Sequence, residues 1–374
     1  MTPAFVLVAS PIATLGSKFC FHPENYSHSF LIIRVIRVMK FLVIRFSSIG
    51  DIVLTTPVIR CIKQQLPGAE VHFLTKASMK TVTEHNPYID KFFYYNKNLK
   101  ELKQQLKQEQ YDYIIDLHKN FRTYSLRFSL KRKTLAYRKE SMRKFLLTKF
   151  NIDIMLKKHI TVRSLETVYP LGIQDDDKGL DYFIAEKDIV AIEDIPLTHR
   201  FGFIAFVIGG SYYTKKLPVN KLQELCSKLH HPIILIGGKE DIAEAEEIAA
   251  VDTIKIYNAC GKFNLNQSAD LVRKSKLVIS HDTGLQYIAC AFKKPVLAIW
   301  GGTSPKLDVE PYYGKLHTES SYTKFTYKNF IVGGLPCQPC SNFGTNECPQ
   351  GHFKCMKHQD IDAIRLIAEK IIGI

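Results

Sequence analysis

Runs of apolar, strand-forming residues alternate with amphipathic helical segments along this chain from Lys40 onward. The first half contains FLVIRF, EVHFLT, KFFYY and YDYIIDLH, and the second half contains FGFIAFV, PIILIGG, IKIYNAC, LVIS and PVLAIWG. Apolar strands separated by helices form parallel sheets whose two faces are covered by those helices. The alternation therefore predicts an α/β chain built on doubly wound sheets.

The alternation is interrupted once, near the middle of the chain. Residues 172–200 shift to an acidic composition without a long helical period, and the strand and helix pattern restarts after them. A chain of 374 residues is long enough for two domains. We therefore expect two Rossmann-like domains, at 39–185 and 201–360, joined by a linker at 186–200. A final helix at 361–374 is expected to pack back on the first domain.

The N-terminal residues fit this pattern poorly. Met39 and the following KFLVIR make a natural first strand, so we expect residues 1–38 to be a non-native or flexible extension. A genuine N-terminal arm is the alternative. The segment is apolar but lacks the basic region of a secretory signal.

Charge and cysteine content narrow the classes of function. The chain has 51 Lys and Arg against 36 Asp and Glu, a formal charge of +15, which indicates an anionic partner such as nucleic acid, a membrane face or a phosphorylated substrate. Nine cysteines, five of them scattered singly, indicate a reducing compartment. Neither a G-x-G-x-x-G after a strand nor a G-x-x-x-x-G-K-[ST] occurs, so NAD enzymes and P-loop NTPases lose support.

Three turns that follow strands of the second half suit a nucleotide diphosphate. In ISHDTGLQYIACAF, Asp282, Thr283 and Gly284 lie between a strand and a helix whose free N–H groups favour a pyrophosphate. The loop GGSYYTKKLP supplies lysines, and GGKED supplies acids for ribose hydroxyls. Parallel strands bring such loops to one edge of the sheet. On its own, Asp282 is equally well explained as a helix cap.

Three stretches carry a resemblance to a known family: RFSSIGDIVLTTP, KKLP and SHDTGLQYIACAFKKPVLAIWGGTSP. Over residues 39–370 the chain resembles glycosyltransferase family 9, the ADP-heptose:lipopolysaccharide heptosyltransferases. The resemblance implies the GT-B fold, in which an N-terminal acceptor domain and a C-terminal donor domain face each other across a cleft. It also implies inverting transfer of a heptose, or a related sugar, to a lipopolysaccharide core or other lipid-linked acceptor, with no cofactor required for catalysis.

The resemblance assigns roles to individual residues. Asp51 matches the general base, although alone it is more simply a helix cap. Tyr287 stands where the family usually has His, which puts the donor sugar in doubt, since tyrosine carries no positive charge. The acid near the ribose is Glu240 or Asp241, with Asp241 favoured. The full set of expected donor-binding residues is Ser211, Lys215, Asp241, Asp282, Thr283, Gly284 and Tyr287.

The positive charge is concentrated between Lys119 and Arg163, where fourteen basic residues stand against two acidic ones, with aromatic residues interleaved. This segment suits the anionic inner face of the cytoplasmic membrane, or an acceptor phosphate held by Lys119 and Arg122. It predicts a cytoplasmic enzyme peripherally associated with the inner membrane. Solvated basic helices are one alternative. The rival functions are a GT-B enzyme for another nucleotide sugar and a nucleic-acid-binding protein.

Four cysteines are crowded near the C-terminus, in the spacing C-x2-C-x7-C-x6-C. A structural zinc ion would explain why they gather in a loop that has little else to pack. Four reduced thiols in a compact lobe are the alternative. The predicted ligands are Cys337, Cys340, Cys348 and Cys355.

Overall fold

The computed structural model describes residues 38–315 and 327–373. Apart from its last residue, the extension predicted at 1–38 lies outside these ranges. Within them the chain forms two parallel sheets, one from each half, as the alternating pattern predicts.

The first sheet has the strand order β3-β2-β1-β4-β5, and all neighbouring strands are parallel. Its strands are β1 (Lys40–Ile44), β2 (Glu70–Lys76), β3 (Lys91–Tyr95), β4 (Tyr113–Asp116) and β5 (Lys133–Ala136). The accompanying helices are α1 (Ile49–Val53), α2 (Thr56–Gln65), α3 (Lys80–Thr83), α4 (Leu99–Gln108), α5 (Phe121–Leu130), α6 (Ser141–Phe150) and α7 (Ile160–Leu165).

The second sheet is also parallel throughout, with the order β8-β7-β6-β9-β10-β11. Its strands are β6 (Ile204–Val207), β7 (Ile233–Ile236), β8 (Ile256–Asn258), β9 (Leu277–His281), β10 (Val296–Ile299) and β11 (Tyr327–Phe330). Its helices are α8 (Val219–Lys228), α9 (Ile242–Ala249), α10 (Leu265–Lys274), α11 (Gly284–Ala291), α12 (Lys354–Lys357) and α13 (Ile361–Ile372).

Central strands are apolar without a break because helices cover both faces of each sheet. Residues 41–44 of β1 and 204–206 of β6 are fully buried. The edge strands β5 and β11 were missed by the sequence reading. Each is only partly buried and mixes polar with apolar residues, so neither shows a continuous apolar run.

Both sheets have a Rossmann-type strand order, which reverses direction between β1 and β4 in the first sheet and between β6 and β9 in the second. In open parallel sheets, ligands bind outside the carboxyl ends of the strands at this switch point. The chain therefore has two such positions, and the packing described below turns them toward each other, as in the expected GT-B fold.

The segment that leaves the first domain is fixed by a buried arginine on α2. Arg60 is 2% exposed and forms two hydrogen bonds of 2.7 Å to Asp176. It also pairs with Asp181 and donates to the carbonyl oxygen of Gly179 at 2.8 Å. The acidic composition at this boundary is thus partly explained by the need to neutralise one buried cation.

The rest of the connection packs against the second domain. Val190 donates its N–H to Asp270 at 2.9 Å, and the Asp188 carboxylate accepts from Asn264 at 3.0 Å and from Asn266 at 3.2 Å. The connection between the domains is therefore held by specific bonds on both sides.

The final helix does not pack on the first domain, and that expectation was wrong. Ile364 and Ala368 of α13 are buried in the core of the second domain, and Lys228 of α8 pairs with Asp362 at 2.9 Å. The apolar stripe of α13 finds its partner on the neighbouring helix α8 rather than across the cleft. Among the described helices, none is both long enough and apolar enough to cross a membrane.

We predict that Arg60→Met destabilises the fold by about 3 kcal/mol, since it removes the buried cation that Asp176 and Asp181 share. Urea unfolding followed by circular dichroism measures the change. Lys63→Met on the same helix is the matched control, because the Lys63–Asp90 pair is half-exposed and such pairs contribute about 1 kcal/mol or less. Equal losses in the two variants would contradict the structural role of Arg60.

Candidate active site at the facing switch points

Asp51, in the first turn of α1 directly after β1, lies at the first switch point. One carboxylate oxygen accepts hydrogen bonds from the Ser48 N–H at 3.0 Å and the Ser48 hydroxyl at 2.9 Å. The other lies 2.7 Å from the guanidinium of Arg45. The Asp51 side chain is 28% exposed. The residue therefore takes part in the start of α1, as a capping residue would, and still reaches the cleft.

Arg45 sets the charge state of Asp51. Burial by itself raises the pKa of the Asp51 carboxyl, but the positive charge of Arg45 and the hydrogen bonds from Ser48 outweigh it, and the pKa is lowered from its usual value. Arg45 is itself 7% exposed and donates to the Ser47 carbonyl oxygen at 3.0 Å. Asp51 is therefore ionised at neutral pH and held in place by a cation whose own position is fixed.

The two predicted acceptor residues lie on the other side of the same switch point, Lys119 in the loop after β4 and Arg122 in the first turn of α5. The buried carboxylate of Asp116 accepts from the N–H groups of His118 at 3.1 Å and Lys119 at 2.8 Å, which fixes the loop backbone. Arg122 is exposed, with its guanidinium 5.6 Å from the ring centre of Tyr95. Both cations lie at the edge of the sheet that carries Asp51.

The second switch point brings Lys215 and Asp282 together. The ammonium of Lys215 lies 2.7 Å from the Asp282 carboxylate and donates to the Asp282 carbonyl oxygen at 3.1 Å. Thr303, from the loop after β10, donates to the same carboxylate at 2.9 Å. Thr283 precedes α11, and its side chain accepts no hydrogen bond from the first turn of that helix. The backbone N–H groups from Gly284 onward are therefore not capped by Thr283. The arrangement offers a held cation beside a helix N-terminus.

The other donor residues lie around this centre. Ser211 is exposed in the loop after β6. Asp241 is 1% exposed, and its carboxylate accepts from the Gly238 N–H at 2.9 Å and pairs with Lys216 at 3.2 Å, so it shapes the loops rather than facing the cleft. Glu240, the alternative to Asp241, is exposed on the same turn. The geometry thus favours Glu240 for a hydroxyl of a bound ribose.

The two switch points meet through the N-terminal turns of α1 and α11. A Cβ at Gly50 would lie 2.6 Å from a ring carbon of Tyr287, and a Cβ at Gly284 would lie 2.6 Å from the Cγ2 of Ile49. Only glycine permits this approach at either position. The two helix N-termini, one from each sheet, are therefore in direct contact.

Tyr287 lies at this contact and connects both sides of the site. It is 5% exposed, donates from its hydroxyl to the Val309 carbonyl oxygen at 2.6 Å, and lies 3.5 Å from the Asp282 carboxylate. Burial first, and then the negative charges of Asp282 and Asp51, raise the pKa of Tyr287 well above its usual value. Its hydroxyl therefore stays protonated and acts as a donor.

Lys144 on α6 is a partly buried residue that the sequence reading did not single out. Burial and the nearby charge of Arg163 lower the pKa of Lys144 to about 8, and Asp51 is close enough to oppose that shift. The one signal in the sequence is the excess of basic residues between 119 and 163. Helical spacing alone could not show which of those lysines is buried among other charges.

One cluster elsewhere has the spacing of a metal site. In the described part of the chain, Glu70, His72 and Glu109 are the group of His, Cys, Asp or Glu side chains whose ligand atoms all lie within 4.8 Å of one another. Lys40 lies 3.1 Å from each of the two carboxylates, and Lys91 also pairs with Glu109. The lysines already neutralise these acids, at the sheet edge opposite the active site, so we interpret the cluster as ion pairs.

Two Rossmann-like domains whose switch points face each other define the GT-B fold, which solved family 9 glycosyltransferases share. The chain belongs to glycosyltransferase family 9 (heptosyltransferase), whose family model matches residues 99–328, more than half of the sequence. The resemblance inferred from the strand-end turns is thereby confirmed at the level of the family.

Individual relatives agree with this placement. Lipopolysaccharide heptosyltransferase 1 of Campylobacter coli is 26% identical over 291 residues, covering 71% of this chain and 84% of that protein. A family 9 glycosyltransferase from Veillonella parvula superposes with a TM-score of 0.67 at 19% identity, over 89% of this chain and 97% of its own. The E. coli ADP-heptose LPS heptosyltransferase II superposes with a TM-score of 0.64 at 18% identity, over 88% and 100%.

Proposed function

We propose that this protein transfers a heptose from ADP-heptose to a lipopolysaccharide-core acceptor, with inversion at the anomeric carbon and without a catalytic metal. The observation that carries the proposal is the facing pair of switch points. One presents the ionised carboxylate of Asp51, and the other presents Lys215 beside the N-terminus of α11. ADP-heptose is chosen because the E. coli neighbour is an ADP-heptose enzyme and the relatives are lipopolysaccharide heptosyltransferases.

The acceptor half of the reaction needs a base. The acceptor hydroxyl oxygen attacks the anomeric carbon, the bond from that carbon to the diphosphate oxygen breaks, and the hydroxyl proton passes to the Asp51 carboxylate. Attack from the face opposite the departing diphosphate inverts the configuration. Asp51 suits this role because it is ionised before the reaction and reaches the cleft.

The donor half must accommodate the negative charge of the diphosphate as it departs. Asp282 is an anion and cannot bind phosphate itself. We assign it the role of positioning Lys215, whose ammonium lies 2.7 Å from the Asp282 carboxylate. Thr303 satisfies the same carboxylate and so lessens its repulsion of the nucleotide. The N–H groups at the start of α11 and the Lys215 ammonium then receive the leaving group.

We predict that ADP raises the melting temperature of the protein, whereas UDP, GDP, NAD and a short DNA duplex do not. A ligand at 100 times its dissociation constant contributes about 2.7 kcal/mol, which shifts the transition by a few degrees. Lys215→Met should reduce the shift, and Lys221→Met, a solvent-facing lysine paired with Glu224, should leave it unchanged. A shift with UDP or GDP alone would mean that the donor is a sugar of that nucleotide and not ADP-heptose. A shift with DNA alone would reject the proposal.

We predict that Asp51→Asn lowers kcat by about 10²-fold or more, since the variant keeps the shape of the side chain but cannot take the proton. ADP affinity, measured by calorimetry, should stay close to that of the native protein because the nucleotide residues lie on the other domain. Asp90→Asn, at an exposed ion pair of the same domain, is the control. Normal turnover by the Asp51 variant would remove Asp51 as the base.

The acceptor side of the first domain has the surface expected of a protein that works on a lipid-linked substrate. Helices α5 and α6 expose large apolar side chains among their basic residues, and we call this surface the basic aromatic face. Its principal apolar members are Phe121, Phe128, Met142, Phe145 and Phe150, exposed by between 47% and 94%. We propose that it lies on the anionic inner face of the cytoplasmic membrane, where phenylalanines enter the interface and lysines meet lipid phosphates.

We predict that the protein sediments with vesicles containing phosphatidylglycerol and less with vesicles of phosphatidylcholine alone, and that added salt weakens the binding. The double variant Phe121→Ser/Phe128→Ser should bind roughly 100-fold more weakly, because burying each of the two phenylalanines contributes on the order of 1.5 kcal/mol. Phe201→Ser, at a phenylalanine 86% exposed on the other domain, is the control. An equal loss in the control would contradict docking by this face.

A further inference from the structure

The four clustered cysteines come together around one small cavity. Cys337, Cys340, Cys348 and Cys355 all line it, together with His352 and the backbone at Gly301 and Gly302. The other cysteines of the described residues differ from these, since each is buried singly in the core of a domain: Cys61, Cys226, Cys260 and Cys290. Those four are packing residues, whereas three of the clustered four are only partly buried.

The cysteines belong to a segment with little other means of holding its shape. Residues 331–353 contain neither a helix nor a strand, only turns, bends and extended chain. A loop of this length loses much conformational entropy on folding, and a metal ion that ties it at several points offsets that loss. Cys337 and Cys340 are separated by two residues and can supply a pair of ligands from one turn, as in structural zinc sites.

We propose that this cavity is a metal site in which four thiolates hold one thiolate-seeking ion, zinc or iron, in tetrahedral geometry. The Nε2 of His352 lies 3.8 Å from the sulfur of Cys337, beside the cavity and outside the proposed set of four thiolates. Among the described residues no three of the four sulfur atoms lie within 4.8 Å of one another, so the side chains would have to move inward to bind one ion.

The cavity lies beside the loops that form the donor site, so an ion bound there would affect the position of those loops. Thr214, next to Lys215, is tied to Thr345 of the cysteine segment by its N–H at 3.1 Å and by its hydroxyl at 3.0 Å. The Cys340 N–H donates to the Gly302 carbonyl oxygen at 3.0 Å, and the Gly302 N–H donates to the Thr214 carbonyl oxygen at 2.7 Å. The cysteine segment therefore connects the loop that carries Lys215 with the loop after β10.

A metal at this site would act as a positioning element for nucleotide binding, a consequence that rests on the proposed function. A Cβ at Gly344 would lie 3.1 Å from the Cγ of Lys215, so the segment also packs directly on the lysine. Releasing the ion would let the segment move and loosen Lys215. The ion itself does not contact the substrate and takes no step in the transfer.

The first test is elemental analysis of the full-length protein, purified without chelator, for zinc and iron. We expect about one equivalent of one of these metals per chain, and the analysis identifies which. Cys340→Ser/Cys348→Ser should lose the metal, while Cys226→Ala and His352→Ala should keep it. Substoichiometric metal in the native protein, or the same content in the double variant, would overturn the site, and loss of metal from His352→Ala would overturn a ligand set of four thiolates.

A second measurement on the native chain does not depend on how the variants fold. A thiol reagent should modify the clustered cysteines slowly until a strong chelator removes the ion, and rapidly afterwards. Unchanged reactivity on chelation would overturn the proposal.

The link to the donor site has its own readout. Chelation should weaken ADP binding several-fold, with recovery when zinc or iron is restored. Stoichiometric metal with unchanged ADP affinity would overturn the positioning role and leave the metal site standing. Failure of ADP to bind the metal-loaded protein would instead count against the proposed function.

Discussion

The close contact between the N-terminal turns of α1 and α11 is the constraint on which the active site depends. Each helix starts at the carboxyl end of a strand beside a switch point, and each carries a glycine where the other helix approaches. A side chain at either glycine would separate the turns. Because neither position carries a side chain, the turns approach closely. The negative charges of Asp282 and Asp51 then both raise the pKa of the same buried residue, Tyr287. The two sheets therefore contribute to one candidate active site.

The charges at this centre are balanced before any substrate enters. Arg45 holds Asp51 ionised, and Lys215 neutralises Asp282. The pairing with Arg45 makes Asp51 a weaker base than a free carboxylate, which suits a reaction in which the acceptor hydroxyl becomes strongly acidic only as its bond to carbon forms. Tyr287, where the family usually has His, stays protonated and neutral. Its hydroxyl donates to the Val309 carbonyl oxygen beside the Asp282 carboxylate, so it adds no third cation to Arg45 and Lys215.

The sequence predicted the parts of this structure that are encoded locally. The apolar strands, the turns after them and the family were all readable because each lies within a short continuous stretch. The misses involve contacts between distant segments. The docking of α13 on α8 depends on which apolar surface lies nearest in space. The burial of Asp241 with Lys216 and Gly238 is likewise not visible in the sequence, and its role at a ribose remains a prediction. The lowered pKa of Lys144 depends on burial and on Arg163 of another helix, which the sequence also does not show.

The distribution of surface charge and exposed apolar groups suggests that the two proposed substrates approach the cleft from different sides. The basic aromatic face belongs to α5 and α6, which follow β4 and β5 on the acceptor side of the first sheet, so a lipid-linked sugar held at a membrane would approach Asp51 from there. The nucleotide would enter from the opposite domain, where Lys215 and α11 lie. The α6 helix exposes Phe145 and packs its buried Leu147 with Leu307 of the second domain, so the surface that would meet the lipid and a contact with the donor domain are two faces of one element. Docking on a membrane would thereby bring the acceptor to the side of the cleft that carries Asp51.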